Sequence, residues 1–369
     1  DPGARRRDGL TAVALSLIMD LFPSPEDRTK AMGVYGFVCA GGGSIGVLLG
    51  GLLAGSLDWH WIFLVNLPIG VAVFGLSLWL LPVGHMATAK RSLDVAGAVT
   101  VTTSIMLATY AIVGGNDVGW TSPETLGLLG AAVVLLIAFL VIESRVRAPL
   151  MPLGLFRLRN VAVANVVGVF WAAAMFAWFF LSALYMQLVL GYAPMQVGVA
   201  FLPSNLIMAA FSLGLSAKII MRFGIRLPLF VGLMLAAAGL LLFARVPVDG
   251  TLMADVLPGM LLLGLGAGMA FNPVLMAAMS EVGPEDSGLA SGVVNTSFMM
   301  GGSLGLACLA SLAASRTASA LAQGMEHAAA LAAGYRVAFL VGAPFAGLAA
   351  IIGGALLRTR DALGSSSAH

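Results

Sequence analysis

Polar and aromatic side chains are sparse in the apolar runs of this chain, and those that occur there are the groups able to do chemistry. Asn165, Trp171, Trp178, Tyr185 and Gln187 recur along residues 160–190. Asn205 follows Pro203 in the next run, and Asn272-Pro273 is expected to break the helix of residues 253–279, where the freed backbone carbonyl needs a partner. Aromatic faces with a few amides suit non-covalent recognition of a bulky amphiphilic or cationic molecule. Trp and Tyr also mark lipid–water interfaces, so packing and recognition compete at every one of these positions. Bond-making chemistry has little support. There is no metal-ligand cluster and no nucleophile constellation, and Asp94, Glu143, Asp255 and Glu281 all fall at the ends of apolar runs. Asp94 reads as a helix cap beside Arg91. The chain is therefore not expected to be an enzyme or to carry a metal or cofactor.

Glycine supplies a second pattern, and it occurs twice. Residues 25–46 and 284–305 align without a gap at an offset of 259, sharing Pro25, Glu26 and Asp27, Ala31, Gly33 and Val34, then Gly42, Gly43, Ser44 and Gly46. An echo follows each copy, Phe63-Leu64-Val65 with Pro68 and Phe339-Leu340-Val341 with Pro344. Gly41-x-Gly43-x-x-Gly46 matches a dinucleotide fingerprint literally, as do Gly264, Gly266 and Gly268 in part. Neither is preceded by a strand or followed by the required carboxylate, so a nucleotide role is rejected. Small residues at helical spacing instead let helix backbones approach closely in lipid. Gly42, Gly46, Gly50 and Gly51, with Gly301, Gly302 and Gly305 in the second copy, form the expected helix-packing seam.

The elements that must position these residues follow from composition. Of 369 residues, 60% are hydrophobic and 10% charged, against about 25% charged in a soluble domain. Mean hydropathy is +0.99. The expectation is an all-α polytopic membrane protein with no nucleic-acid partner. A bilayer core of roughly 30 Å needs about 20 apolar residues per helix. Candidate spans fall at 31–55, 61–82, 93–114, 125–142, 160–190, 195–217, 228–246, 253–279, 288–314 and 335–357, after an apolar stub at Leu10–Phe22. Placing the 23–30 turn inside puts thirteen Lys and Arg in inner loops against Arg245, Arg316 and Arg336 in outer ones, as the positive-inside rule requires, although Arg5–Arg7 would begin on the outer side against it. Cys39 and Cys308 lie in apolar spans and read as small packing residues.

The repeat pairs the two halves. Three spans, from residue 160 onward, precede the pair that carries the second copy, so three further helices are expected ahead of the Leu10–Phe22 stub. The spans at 93–114 and 125–142 have no counterpart and read as an insert. The inferred domains are residues 1–82 (remainder of the amino-terminal half), 83–150 (two-helix insert with inner loops) and 151–369 (carboxy-terminal six-helix half). Parallel repeats about an axis along the membrane normal are a transporter device, with the substrate site at their interface.

Longer motifs add a resemblance. Trp59-His60-Trp61-Ile62-Phe63 through Asn66, Pro68 and Ile69-Gly70 is similar to a W-R-W-I-F-x-I-N-x-P-I-G signature. Leu184-Tyr185-Met186-Gln187, Gly191-Tyr192, Gly198 and Leu202-Pro203 follow a second pattern, and Gly288-Leu289-Ala290-Ser291-Gly292 with Asn295-Thr296 a third. Leu93-Asp94 with Gly97-Ala98 is similar to the opening of a first inserted helix. Together these resemble the fourteen-helix drug:proton antiporter branch of the major facilitator superfamily. Val47 stands where the antiporter motif has Pro, and Met221 where an inner-loop Asp is common. The resemblance implies a major facilitator fold of two six-helix halves with a two-helix insert, set as a multi-pass protein in the cell (inner) membrane. It implies export of amphiphilic drugs or natural products driven by the proton gradient, with an endogenous metabolite, a siderophore or a non-transporting sensor role as alternatives. The 160–190 and 253–279 helices would then face the central cavity. Arg28, Arg222 and Arg226 would act as latches of an inward gate or simply as topology-setting charges.

Overall fold

The computed structural model describes residues 60–80, 94–146, 149–211, 215–283 and 287–358, with scattered positions between 31 and 58. The regular elements among them are helices. The expected 61–82 span divides into α1 (His60–Leu64) and α2 (Asn66–Leu80). Asn66 explains the break, because its amide donates to the carbonyls of Ile62 at 3.0 Å and Phe63 at 3.3 Å. A short amide side chain there competes with the backbone ladder.

The stretch expected as a two-helix insert forms a hairpin of α3 (Val95–Val118) and α4 (Pro123–Arg145). Asp94 caps α3, its carboxylate accepting from the Gly97 N–H at 2.8 Å, as its position before an apolar run predicts. Ser122 caps α4 in the same way, with Pro123 opening the helix. Gly119, at φ 98°, makes the turn between them. Inside the hairpin Ser104 donates to the Ala132 carbonyl at 2.7 Å, the kind of polar bond that joins helices in lipid. Outward-facing side chains such as Met106, Val133 and Val134 are exposed apolar groups, suited to acyl chains rather than water.

The carboxy-terminal half contains α5 (Arg159–Leu184), α6 (Pro194–Ala210), α7 (Ser216–Phe223), α8 (Arg226–Phe243), α9 (Leu257–Met279), α10 (Ser287–Ala322) and α11 (His327–Leu356). α5 runs on into a π-helical turn at Tyr185–Val189, and a similar turn at Leu252–Val256 leads into α9. Among the described residues seven helices are long and apolar enough to cross a membrane, α3, α4, α5, α8, α9, α10 and α11; Pro194–Ala210 is apolar but shorter. One core of buried side chains links α5, α6 and α8–α11, including Trp171, Leu229, Leu233, Phe243 and Phe339. The insert packs on α10, pinned by Asn116, whose amide donates to the Ser311 carbonyl at 2.7 Å and hydroxyl at 2.9 Å.

Two expectations need correction. Arg316 and Arg336 lie within α10 and α11, not in an outer loop. The stretch 313–334 has the best helix-forming residue, Ala, at ten of its twenty-two positions, so both helices extend past the apolar spans and leave a turn at 323–326, with Gly324 at φ 81°. Nor does Asn272-Pro273 break its helix, since α9 is continuous from Leu257 to Met279. Neighbouring helices make an intramembrane Pro tolerable.

The glycines of α9 show how that support is built. A Cβ on Gly264 would lie 2.5 Å from the Ser204 carbonyl oxygen of α6, and one on Gly266 2.5 Å from the Gly232 carbonyl oxygen of α8. These residues are points of backbone contact on two faces of one helix, which accounts for the nucleotide-like spacing without a nucleotide.

Candidate functional site

The polar residues of α5 and α9 are buried. Asn165 is 4% exposed, Trp171 and Trp178 1%, Tyr185 2%, Asn205 3% and Asn272 6%, whereas Gln187 is exposed. Their bonding separates them into two groups. Tyr185 is anchored, donating its hydroxyl to the Pro247 carbonyl at 2.6 Å and so tying the end of α5 to the outer loop before α9. Asn165 donates to the Val161 carbonyl of its own helix at 2.8 Å, but its Oδ1 has no partner. The Nε1 atoms of Trp171 and Trp178 and the Oδ1 of Asn272 are likewise buried and unpartnered. A buried polar atom left unpaired costs about 1–3 kcal/mol, and these four are distributed along two helices that pack against each other.

Aromatic rings surround this region. Trp178 packs against Phe179 with ring centres 4.3 Å apart, and Phe179 stacks on Phe201 of α6 at 5.4 Å. Phe298 of α10 receives Phe176 of α5 and Phe271 of α9 edge-on, at 6.0 Å and 6.4 Å. These three rings are half-buried, and beside Phe298 the polar Asn295 and Thr296 are exposed. Three helices thus present an adaptable aromatic face next to amides. Sequence reasoning passed over Phe176, Phe271 and Phe298, because Phe is abundant and nothing in its spacing signals convergence from three helices. The available clue was Phe271 standing directly before Asn272.

The second glycine copy is a tight helix contact. A Cβ on Gly301 would lie 2.6 Å from the Val169 Cα, one on Gly302 2.6 Å from the Phe176 ring, and one on Gly305 2.5 Å from the Ala173 Cα. α10 and α5 therefore touch backbone to backbone beside Phe176. In the first copy Gly51 lies against Pro194 of α6, its Cβ position 2.8 Å from the carbonyl oxygen. Gly42, Gly46 and Gly50 have open space at theirs among the described residues.

Arg28 lies outside the described residues. Arg222 is exposed beside the Phe223 ring, 5.3 Å from its centre. Arg226 donates through Nε and a terminal nitrogen to the Gly354 carbonyl, at 2.9 Å for the first. Arg159 does the same for the Leu356 carbonyl at 2.9 Å. Both cap the α11 carboxy-terminus, where carbonyls lack partners and the helix dipole favours cations. Asn160, fully buried, completes this inner-end knot. Its side chain binds the Ser280 hydroxyl and both backbone groups of Arg358, while its N–H donates to Glu281 at 3.0 Å. Asn160 went unnoticed in the sequence because its partners lie about 120 and 198 residues away. Among the described residues no group of three His, Cys, Asp or Glu side chains could hold a metal ion.

The long apolar helices, the interhelical polar bonds and the glycine contacts define a multi-pass membrane protein. The profile described as Major Facilitator Superfamily matches residues 8–306. The chain is 34% identical, over all of its own length and 76% of the other, to the puromycin resistance protein pur8 of Streptomyces alboniger. It is 32% identical to the multidrug resistance protein Stp of Mycobacterium tuberculosis over 88% of this chain and 61% of that one. Against the cephamycin export protein CmcT of Amycolatopsis lactamdurans it is 32% identical over 86% and 66%. The chain belongs to the Major Facilitator Superfamily, and it spans roughly three-fifths to three-quarters of the length of these relatives.

Proposed function

We propose that this protein exports bulky amphiphilic drugs or natural products across the cell membrane in exchange for protons, by alternating access of two halves about a midplane site. The observations that carry the reading are the unpartnered buried polar atoms along α5 and on α9, at Asn165, Trp171, Trp178 and Asn272, together with the Phe176–Phe298–Phe271 face between α5, α10 and α9. Aromatic surfaces bind many ring systems and cations with little geometric demand. A few amide and indole groups orient the guest without restricting it to one chemical class. The puromycin, cephamycin and multidrug names of the relatives support the same substrate class.

The test is expression, from the natural reading frame, in cells stripped of efflux pumps. The expected result is lower accumulation of a fluorescent cationic dye and raised tolerance of puromycin, both abolished by a protonophore. Unchanged accumulation, with the protein shown to be in the membrane, overturns export. Export that persists without a proton gradient overturns the exchange.

A further inference from the structure

At the inner end of the insert two carboxylates meet out of water. Asp94, 7% exposed, precedes α3; Glu143, 3% exposed, lies in the last turn of α4. Each has one oxygen occupied by a backbone donor. Asp94 Oδ1 accepts from the Gly97 N–H at 2.8 Å, and Glu143 Oε2 accepts from the Met151 N–H at 3.1 Å. The remaining oxygens, Asp94 Oδ2 and Glu143 Oε1, are buried without a partner. Both point to one place. A Cβ on Gly97 would lie 2.9 Å from Asp94 Cγ, overlap Asp94 Oδ2 and stand 3.0 Å from Glu143 Oε1. Gly97 is what leaves room for the two groups to converge.

Lys90, Arg91 and Arg147 lie outside the described residues, and nothing on the described parts of the packed elements neutralises the pair. Among the described residues neither carboxylate has an ion-pair partner. On α4 and the following loop, Arg145, Arg157 and Arg159 are exposed, and Arg159 is engaged with Leu356. Asp117 of α3 and Glu124 of α4 lie at the opposite ends of their helices, and Arg316 of α10 is exposed near that helix's far end. Two carboxylates brought together in a buried place do not both stay ionised; one keeps a proton and donates it to the other. A hard cation is a poorer occupant, because it takes six or more oxygen ligands and two unpartnered oxygens face this point.

We propose that Asp94 and Glu143 are a proton-binding site, sharing one proton between Asp94 Oδ2 and Glu143 Oε1 at neutral pH. With the proton in place both carboxylates are fully bonded, and the start of α3 is held to the end of α4 and, through Met151, to the segment entering α5. Removing it leaves two like charges facing each other and opens the inner end of the insert. The role of this site in transport rests on the proton exchange proposed above. The presence of the proton does not.

Infrared difference spectroscopy on the full protein in lipid tests it. The carbonyl stretch of a protonated carboxyl is expected in the wild type at neutral pH, absent from both Glu143→Gln and Asp94→Asn, and lost from the wild type on alkaline titration. Glu143→Gln folds by design, since the Gln carbonyl still accepts from Met151 and its amide still donates to Asp94. If one variant fails to fold, the other with the wild-type titration is sufficient. A wild-type spectrum identical to that of a folded variant overturns the proposal, as does a signal that depends on sodium or potassium rather than pH. Proton-driven efflux in vesicles is scored separately, so failure of the exchange leaves the infrared result standing.

Discussion

Gly305→Ala should separate α10 from α5 and destabilise the carboxy-terminal half. Non-bonded carbons rest about 3.5–4.0 Å apart. A Cβ on Gly305 lies 2.5 Å from the Ala173 Cα and overlaps the Ala173 Cβ, so the two backbones must part by about 1 Å. Neither atom belongs to a flexible side-chain end, so no rotamer change relieves the clash. A gap of about 1 Å forfeits up to about half the dispersion energy of each contact, and it opens the adjoining Gly301–Val169 and Gly302–Phe176 contacts too. Overpacking of this kind costs about 1–3 kcal/mol. Replacing a helical Gly by Ala also returns up to about 1 kcal/mol of helix propensity, which would mask part of the loss. Gly292→Ala is the matched control. It lies in the same helix and its Cβ meets nothing within 4 Å, so it gains the propensity without the clash. The difference between the two variants therefore isolates the packing term, about 1–3 kcal/mol. Thermal unfolding of the purified proteins in one detergent, followed by tryptophan fluorescence, measures it. Gly305→Ala should melt lower than Gly292→Ala, and Ala173→Gly should restore part of the loss. Equal melting temperatures would refute the backbone-contact reasoning.

Further substitutions probe the other contacts. Trp178→Phe removes a buried donor that has no partner, so thermal stability should hold or rise, while drug export should fall if the indole N–H serves the substrate; a large drop in melting temperature would contradict the first part. Asn160→Ala strands the Arg358 backbone groups, costing about 1–3 kcal/mol; hydrogen exchange at Arg358 should accelerate. Asn116→Ala removes the bond between the insert and Ser311, worth about 1 kcal/mol, and hydrogen exchange along α3 should rise with α8 and α9 unaffected. Arg226→Lys replaces a two-nitrogen donor to Gly354 with a single ammonium and should loosen the end of α11 less than Arg226→Ala, read by exchange at residues 353–358.

Most of the helices between residues 95 and 356 were legible in the sequence as apolar spans, because lipid leaves the backbone few choices. Every span must satisfy its own hydrogen bonds, so apolar length alone declares a helix, and charged ends declare its direction. Asp94 as a cap was legible for the same local reason, its partner being three residues away. Helix ends were less so. Alanine carries no strong hydropathy signal, and the extension of α10 and α11 through 313–334 came from propensity rather than apolarity.

What tertiary structure alone decided concerns which residues of different helices meet. The sequence determined that Glu143 ends one apolar run and that Asp94 begins another. It took the packing of α3 on α4, over a glycine, to turn these separate helix ends into one buried pair. The aromatic face of Phe176, Phe271 and Phe298 and the Asn160 knot have the same origin. Hydropathy reports how each residue partitions into lipid, a one-body property. Pairing of buried polar groups depends on the register and rotation of helices against each other, which small-residue contacts such as Gly305 on Ala173 set. That information is spread over residues more than a hundred positions apart.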